Sequence, residues 1–131
     1  MHHYNLPMHA IILSIGDELV LGQTVDTNSA YLAQQLMELG IFTRAHHTLA
    51  DDREAVAQGI RAACAQAEVV LITGGLGPTE DDLTRQAVAD ALGTELEMDA
   101  KALAEIVAFF QARGRPMAAS NRVQALRPVD T

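Results

Sequence analysis

Apolar residues in this chain fall into two kinds of run, and the alternation between them predicts the elements. His9 to Ile15 (HAIILSI) and Glu68 to Ile72 (EVVLI) are unbroken aliphatic stretches, the pattern of strands buried on both faces of a sheet. Ile41 to Leu49 is a weaker run of the same kind. Between the strands the spacing turns helical. Asp26-Thr27-Asn28 supplies cap residues for a helix from about Ser29 to Leu39, with Leu32, Leu36 and Leu39 on one stripe and Gly40 as its stop. Ala50-Asp51-Asp52 opens a second helix running to about Gln66, with Val56, Ile60 and Ala63 on one face. A third is predicted over Leu83 to Leu92, ended by Gly93. Thr94 to Met98 is then a short extended piece. Asp99 caps a fourth helix bearing Leu103, Ile106, Val107 and Phe110, which Gly114-Arg115-Pro116 ends. Strands alternating with helices point to an α/β fold with a parallel, doubly wound sheet, in which ligands bind beyond the carboxyl ends of the strands.

Met1 to Pro7 has no periodicity and reads as a disordered leader, leaving residues 8–131 as a single domain. The tail from Met117 to Thr131 shows no core face beyond a turn of helix. Leu126 to Thr131 reads as the lead-in to a further element, so the domain is expected to be cut short at its C-terminal end.

Composition narrows the function classes. Lys+Arg 9 against Asp+Glu 17 gives 9 − 17 = −8, which argues against nucleic acid, whose backbone is bound through cationic contacts. A small anion remains compatible, because backbone N–H groups and a carboxylate-held cation can hold it locally. Cys64 is the only cysteine; it permits neither an intrachain disulfide nor a cysteine-built metal site, and it is expected to be a small core residue. No apolar run approaches the roughly 18 residues of a membrane span, and the start lacks signal-peptide blocks. A cytoplasmic setting without membrane contact is the expectation.

The candidate chemistry lies after the strand at residues 68–72. Thr73-Gly74-Gly75-Leu76-Gly77-Pro78-Thr79-Glu80-Asp81-Asp82 places three glycines within four residues, so the backbone can take positive φ and turn several N–H groups toward one anion. Asp81 or Asp82 can cap the helix that follows, whose positive end would face the same space. Two other strand ends also carry carboxylates, Gly16-Asp17-Glu18 and Asp51-Asp52. If the sheet closes as described, up to five carboxylates come near one crevice. Repulsion would then raise some of their pKa values unless a hard divalent ion such as Mg²⁺ sat among them. His46 and His47 are adjacent on a strand and face opposite ways, so they read as surface residues. Arg122 reads equally as a phosphate clamp or a solvated charge.

These motifs resemble the molybdenum-cofactor biosynthesis domain shared by MogA, MoaB and gephyrin-like proteins, and most closely the N-terminal domain of the CinA family. Ser14-Ile15-Gly16-Asp17-Glu18-Leu19 with Gly22 and Asp26-Thr27-Asn28 looks like the CinA opening pattern. Thr73 to Thr84 looks like its TGGLGPTEDD-L-T loop, and Ser120-Asn121-Arg122 with Gln124-Ala125-Leu126 and Pro128 is similar to its late segment. The resemblance runs from Ile12 to Pro128. It implies a three-layer α/β/α fold and a nucleotide- or pterin-binding pocket formed by Thr73, Gly74, Gly75, Leu76, Gly77 and Pro78 with Gly16, Glu18 and Asn28. It also implies functional aspartates at Asp51 and Asp82, which would be catalytic and hold a divalent metal such as Mg²⁺. The implied ligands are a nucleotide or molybdopterin, and the implied assembly is a homo-oligomer, dimer or trimer. The implied activity is metal-dependent hydrolysis of a nucleotide pyrophosphate such as ADP-ribose. A molybdopterin adenylyltransferase and a non-catalytic binding module are the alternatives. Leu76, where pterin-processing members tend to carry Thr, favours the hydrolase.

Overall fold

The computed structural model describes residues 7–131, so all of the expected leader except Pro7 lies outside the described residues. The order is β1 (His9–Ile15), α1 (Asp17–Val20), α2 (Thr27–Glu38), β2 (Phe42–Leu49), α3 (Arg53–Cys64), β3 (Val69–Thr73), α4 (Thr84–Leu92), β4 (Leu96–Met98) and α5 (Ala100–Ala112). A 3₁₀ helix (Ala119–Ala125) and β5 (Leu126–Pro128) follow.

The first three strands form a parallel sheet in the order β2-β1-β3, and β1 is its centre. Its composition explains why. Ile11, Leu13 and Ile15 point to one face and pack on Val56, Ala57, Ile60 and Ala63 of α3 and Ala87 of α4. Ala10 and Ile12 point to the other and meet Leu36 of α2. β1 is covered by helices on both faces, and the layers are therefore α/β/α. The second apolar run behaves differently from expectation. β3 is half-buried along its whole length, because among the described residues it pairs only with β1. Edge position, not composition, sets its exposure.

The boundaries of the four helices read from the sequence lie within two residues of those observed, the second ending at Cys64 instead of about Gln66. Asp52 and Asp99 cap α3 and α5 by accepting the N–H of Ala55 and of Ala102, as the sequence implied. Arg53 donates two hydrogen bonds to Asp90, at 2.6 and 2.8 Å, tying α3 to α4. Two expectations fail. Cys64 is exposed on the last turn of α3 and is not a core residue. The tail is not without structure, since Leu126, Arg127 and Pro128 pair antiparallel with Met98, Glu97 and Leu96. Three-residue strands with half-buried side chains carry too little periodicity to be read from sequence.

Asp26 caps α2 and also supports a polar link inside the fold. Its carboxylate accepts the N–H of Ser29 at 3.0 Å and the Ser29 hydroxyl, which lies 2.8 Å from the hydroxyl of Ser14 on β1. Both serines are buried. Burial pushes the Asp26 carboxyl up, but the bonds from Ser29 and Ser14 and the charge of His46 outweigh it and leave the pKa below its usual value. Asp26→Ala should therefore cost about 1–2 kcal/mol, the upper half of the range for cap removal, read as a lower urea midpoint. Because folding lowers this pKa, its contribution is complete above the unfolded value of about 3.9 and is lost as pH falls through the folded one. The variant should accordingly lose less stability than wild type on acidification across that window.

Candidate functional site

Three loops leave the carboxyl edge of the parallel sheet: Gly16 to Val20 after β1, Ala50 to Asp52 after β2, and Gly74 to Leu83 after β3. The first two are stitched together. Asp17 and Asp51 exchange bonds, the N–H of Asp17 donating to Asp51 Oδ2 at 3.1 Å and the N–H of Asp51 to Asp17 Oδ1 at 2.9 Å. Gly16 N–H also donates to the carbonyl of Leu49. These carboxylates hold two strand ends in register instead of gathering round an ion.

The loop after β3 is shaped from within its own helix. Thr84 takes the carbonyls of Gly74 and Gly75, its hydroxyl donating to the first at 2.7 Å and its N–H to the second at 3.1 Å. Arg85 takes the next two, its guanidinium donating to the carbonyls of Leu76 and Gly77. Four successive carbonyls are thus turned toward the first residues of α4. All peptide bonds here are trans, and a trans peptide points its N–H opposite to its C=O. The N–H groups of Gly75 and Leu76 therefore face away from α4. Gly74 and Gly75 have φ of 87° and 65°, which side-chain-bearing residues rarely adopt. A Cβ on Gly74 would overlap the carbonyl oxygen of Ile15, and one on Gly75 the Thr84 hydroxyl. Only glycine fits at either place.

Asp82 does not cap α4, and neither does Asp81. The helix begins at Thr84 with Leu83 in the cap position and no side-chain cap. Asp82 instead folds back on its own loop, its Oδ2 accepting the hydroxyl of Thr79 at 2.6 Å and the N–H of Thr79 at 2.9 Å. The Thr79 hydroxyl foremost, then the N–H groups of Thr79 and Gly77 and the Arg85 charge, hold its carboxyl below the usual range despite some burial. This is opposite in direction to the expectation from crowded carboxylates. Its cause is plain: the carboxylates do not crowd. Among the described residues no group of three or more His, Cys, Asp or Glu side chains comes together to hold a metal.

Glu18, Asn28, Thr73 and Gly74 share a cavity of about 190 Å³ between the β1 and β3 loops and the start of α2. Glu18 reaches it from α1, one helical turn that sequence reading did not assign, and its carboxylate folds over Gly16 where a Cβ would stand. Pro78 and Asp82 line a second cavity of similar size with Thr79, Arg85 and Gln86. Gln86 has a buried side-chain oxygen with no hydrogen-bond partner. Asp51 borders neither cavity. His46, His47 and Arg122 are exposed, and the histidines lie within the edge strand β2. Thr84 and Arg85 were missed as site residues. One signal pointed to Arg85: a cation in the first turn of a helix opposes the dipole, so it needs a partner elsewhere.

A glycine loop with N–H groups turned away from its helix, beyond the carboxyl edge of a parallel sheet, defines a class of α/β proteins that bind anionic ligands at strand ends. The comparisons give the particular family. The profile described as "Probable molybdopterin binding domain" matches residues 11–127, and the chain belongs to that family. A CinA-like protein of Citrifermentans bemidjiense is 45% identical over 121 residues, covering 92% of this chain and 29% of the relative. The crystal structure of the protein CinA, of unknown function, from Thermoplasma acidophilum superimposes with a TM-score of 0.83 at 31% identity, over 93% of this chain and 71% of that one. The molybdopterin biosynthesis enzyme MoaB of Thermus thermophilus shares the fold, with a TM-score of 0.56 at 24% identity over 88% of this chain and 71% of its own. This is a CinA-like domain with the architecture of the MogA and MoaB proteins. The chain spans 28 to 29% of the length of the curated relatives it matches. No helix among the described residues is long and apolar enough to cross a membrane.

Proposed function

We propose that this domain binds a nucleotide or pterin phosphate at the glycine loop and hydrolyses a nucleotide pyrophosphate such as ADP-ribose with the help of a divalent ion. One observation carries the reading: four loop carbonyls are held toward α4, so the N–H groups of Gly75 and Leu76 are turned away from the helix before any ligand arrives. Donors fixed before the substrate arrives need no reorganisation when charge develops. The residues present fit a divalent ion of one kind only. Without a three-group cluster there is no closed cage, but Mg²⁺ often keeps waters and substrate phosphates and takes one or two carboxylates. Asp82 would be the first of these. Asp51 follows β2, on the other side of β1 from the strand that leads to the Asp82 loop, and would be the second. Such an ion would neutralise charge on the pyrophosphate.

The chain's own groups do the rest. Held below the usual carboxylate range, Asp82 stays ionised near neutrality and is a weak proton acceptor there. It orients the attacking water instead of deprotonating it. Glu18 and Asn28, in the cavity they share with Thr73 and Gly74, are placed to receive the organic part of the ligand. The partner is a small molecule, not nucleic acid, in a cytoplasmic homo-oligomer.

The test is release of AMP from ADP-ribose by the purified chain with Mg²⁺, Mn²⁺ or Co²⁺, against an EDTA control. Metal-dependent release is expected. No release from a chain that still binds nucleotide by calorimetry would leave the second reading, a binding module without turnover. The absence of a preformed carboxylate cluster among the described residues favours that alternative.

A further inference from the structure

We infer that Arg85 is the positioning residue of the far half of the glycine loop: by holding the carbonyls of Leu76 and Gly77 it fixes the one N–H those two peptides carry, that of Gly77, beside Asp82, without itself holding the substrate. The inference rests on the reading of that loop as the anion site. Arg85 is the second residue of α4, where the helix dipole disfavours a cation. Among the described residues it forms no ion pair within 4 Å, although the chain carries seventeen acidic residues. Its guanidinium is spent instead on two successive carbonyls, those of Leu76 and Gly77. A planar fork can hold both at once in fixed geometry, and an ammonium group cannot.

Beyond Gly75 the loop has few other restraints. Thr84 secures Gly74 and Gly75, and Asp82 secures Thr79. Leu76 and Gly77 lie between these anchors; Arg85 holds their two carbonyls, and Asp82 lies on the other side of Gly77. The half-buried guanidinium also lies close enough to Asp82 to favour its ionised form. A single side chain thus holds the stretch of loop that lies against Asp82.

The experiment is amide hydrogen exchange on the full chain without ligand, comparing wild type, Arg85→Gln and Arg85→Lys. Gly77 and Thr79 should exchange about tenfold faster or more in both variants, as expected when charge-assisted bonds are removed. Thr84, anchored on Gly75, should keep its rate. Affinity for AMP by calorimetry should fall equally in the two variants, and free guanidinium ion should restore it in Arg85→Ala. Wild-type exchange in Arg85→Gln, or wild-type exchange and affinity in Arg85→Lys, overturns the inference, the latter by showing that charge alone suffices. If Arg85→Gln fails to fold, Arg85→Lys keeps the stem and the charge and gives the same readout. Because exchange is read without ligand, a chain that binds no nucleotide refutes the proposed site while the clamp still stands or falls on its own.

Discussion

Replacing Gly74 with alanine is expected to destabilise the domain by about 3 kcal/mol, combining the penalty of a left-handed side-chain-bearing residue with that of an overpacked contact. The residue has φ of 87°, and the atom that a Cβ would meet is the backbone carbonyl of Ile15. A side chain could rotate away; this carbonyl cannot, because it ends the central strand and Gly16, the next residue, is bonded to Leu49. A loss of this size is a large share of the roughly 5–15 kcal/mol that holds such a domain folded. Gly114 provides the control, with φ of 60° and nothing within 4 Å of an added Cβ. Gly114→Ala should cost only about 1 kcal/mol, the penalty of the backbone conformation alone. Urea denaturation of both variants separates the two contributions. Equal midpoints would show that the loop can shift away from β1, and would remove the close approach from the account of the site.

Asp82→Asn is expected to lower the rate of AMP release by about a hundredfold or more, the scale seen when one electrostatic contact at a reacting centre is removed. Its effect on stability should be small. Asparagine keeps an oxygen that can accept the hydroxyl and N–H of Thr79, so the loop retains its shape while the charge goes. The measurement is initial rate with saturating Mg²⁺, together with a urea curve to establish that the fold is intact. Wild-type rates would eliminate Asp82 as the water-orienting carboxylate. Since hydrogen bonds hold the Asp82 carboxyl below its usual range, its ionisation should leave activity unaffected down to about pH 4, the ordinary aspartate value. An inflection near neutrality would have to come from another group.

How much of this was legible in the sequence differs from element to element. β1 was read with its observed boundaries, His9–Ile15, because a run apolar from Ala10 to Leu13 and again at Ile15 has few alternatives and the cap residues around it fix where helices start. The glycine loop was singled out because three glycines in four residues allow positive φ, which Gly74 and Gly75 adopt. The role of Asp82 was read less well. From the sequence it and Asp81 were equal candidates for the cap of α4, whereas Asp82 bonds Thr79 and Leu83 occupies the cap position. Both arrangements put an aspartate in front of a helix, and local preference does not distinguish them. The expected crowd of carboxylates failed for a related reason. Asp17 and Asp51 satisfy one another's backbone N–H groups, a pairing between residues 34 positions apart that no local pattern records.

The sequence by itself determined the family, the alternation of strands and helices, and the identity of the loop, because each depends on residue type at short range: aliphatic runs, helix caps, and glycine where φ is positive. Only the tertiary structure decided that β1 and not β3 lies at the centre of the sheet, that Glu18 and Asn28 share a cavity with Thr73 and Gly74 while Asp82 borders another, and that Thr84 and Arg85 aim the loop. Those facts depend on which strand finds a partner on each side and on where a carbonyl meets a donor several residues away. Distance in space settles them, and a one-dimensional pattern does not contain it.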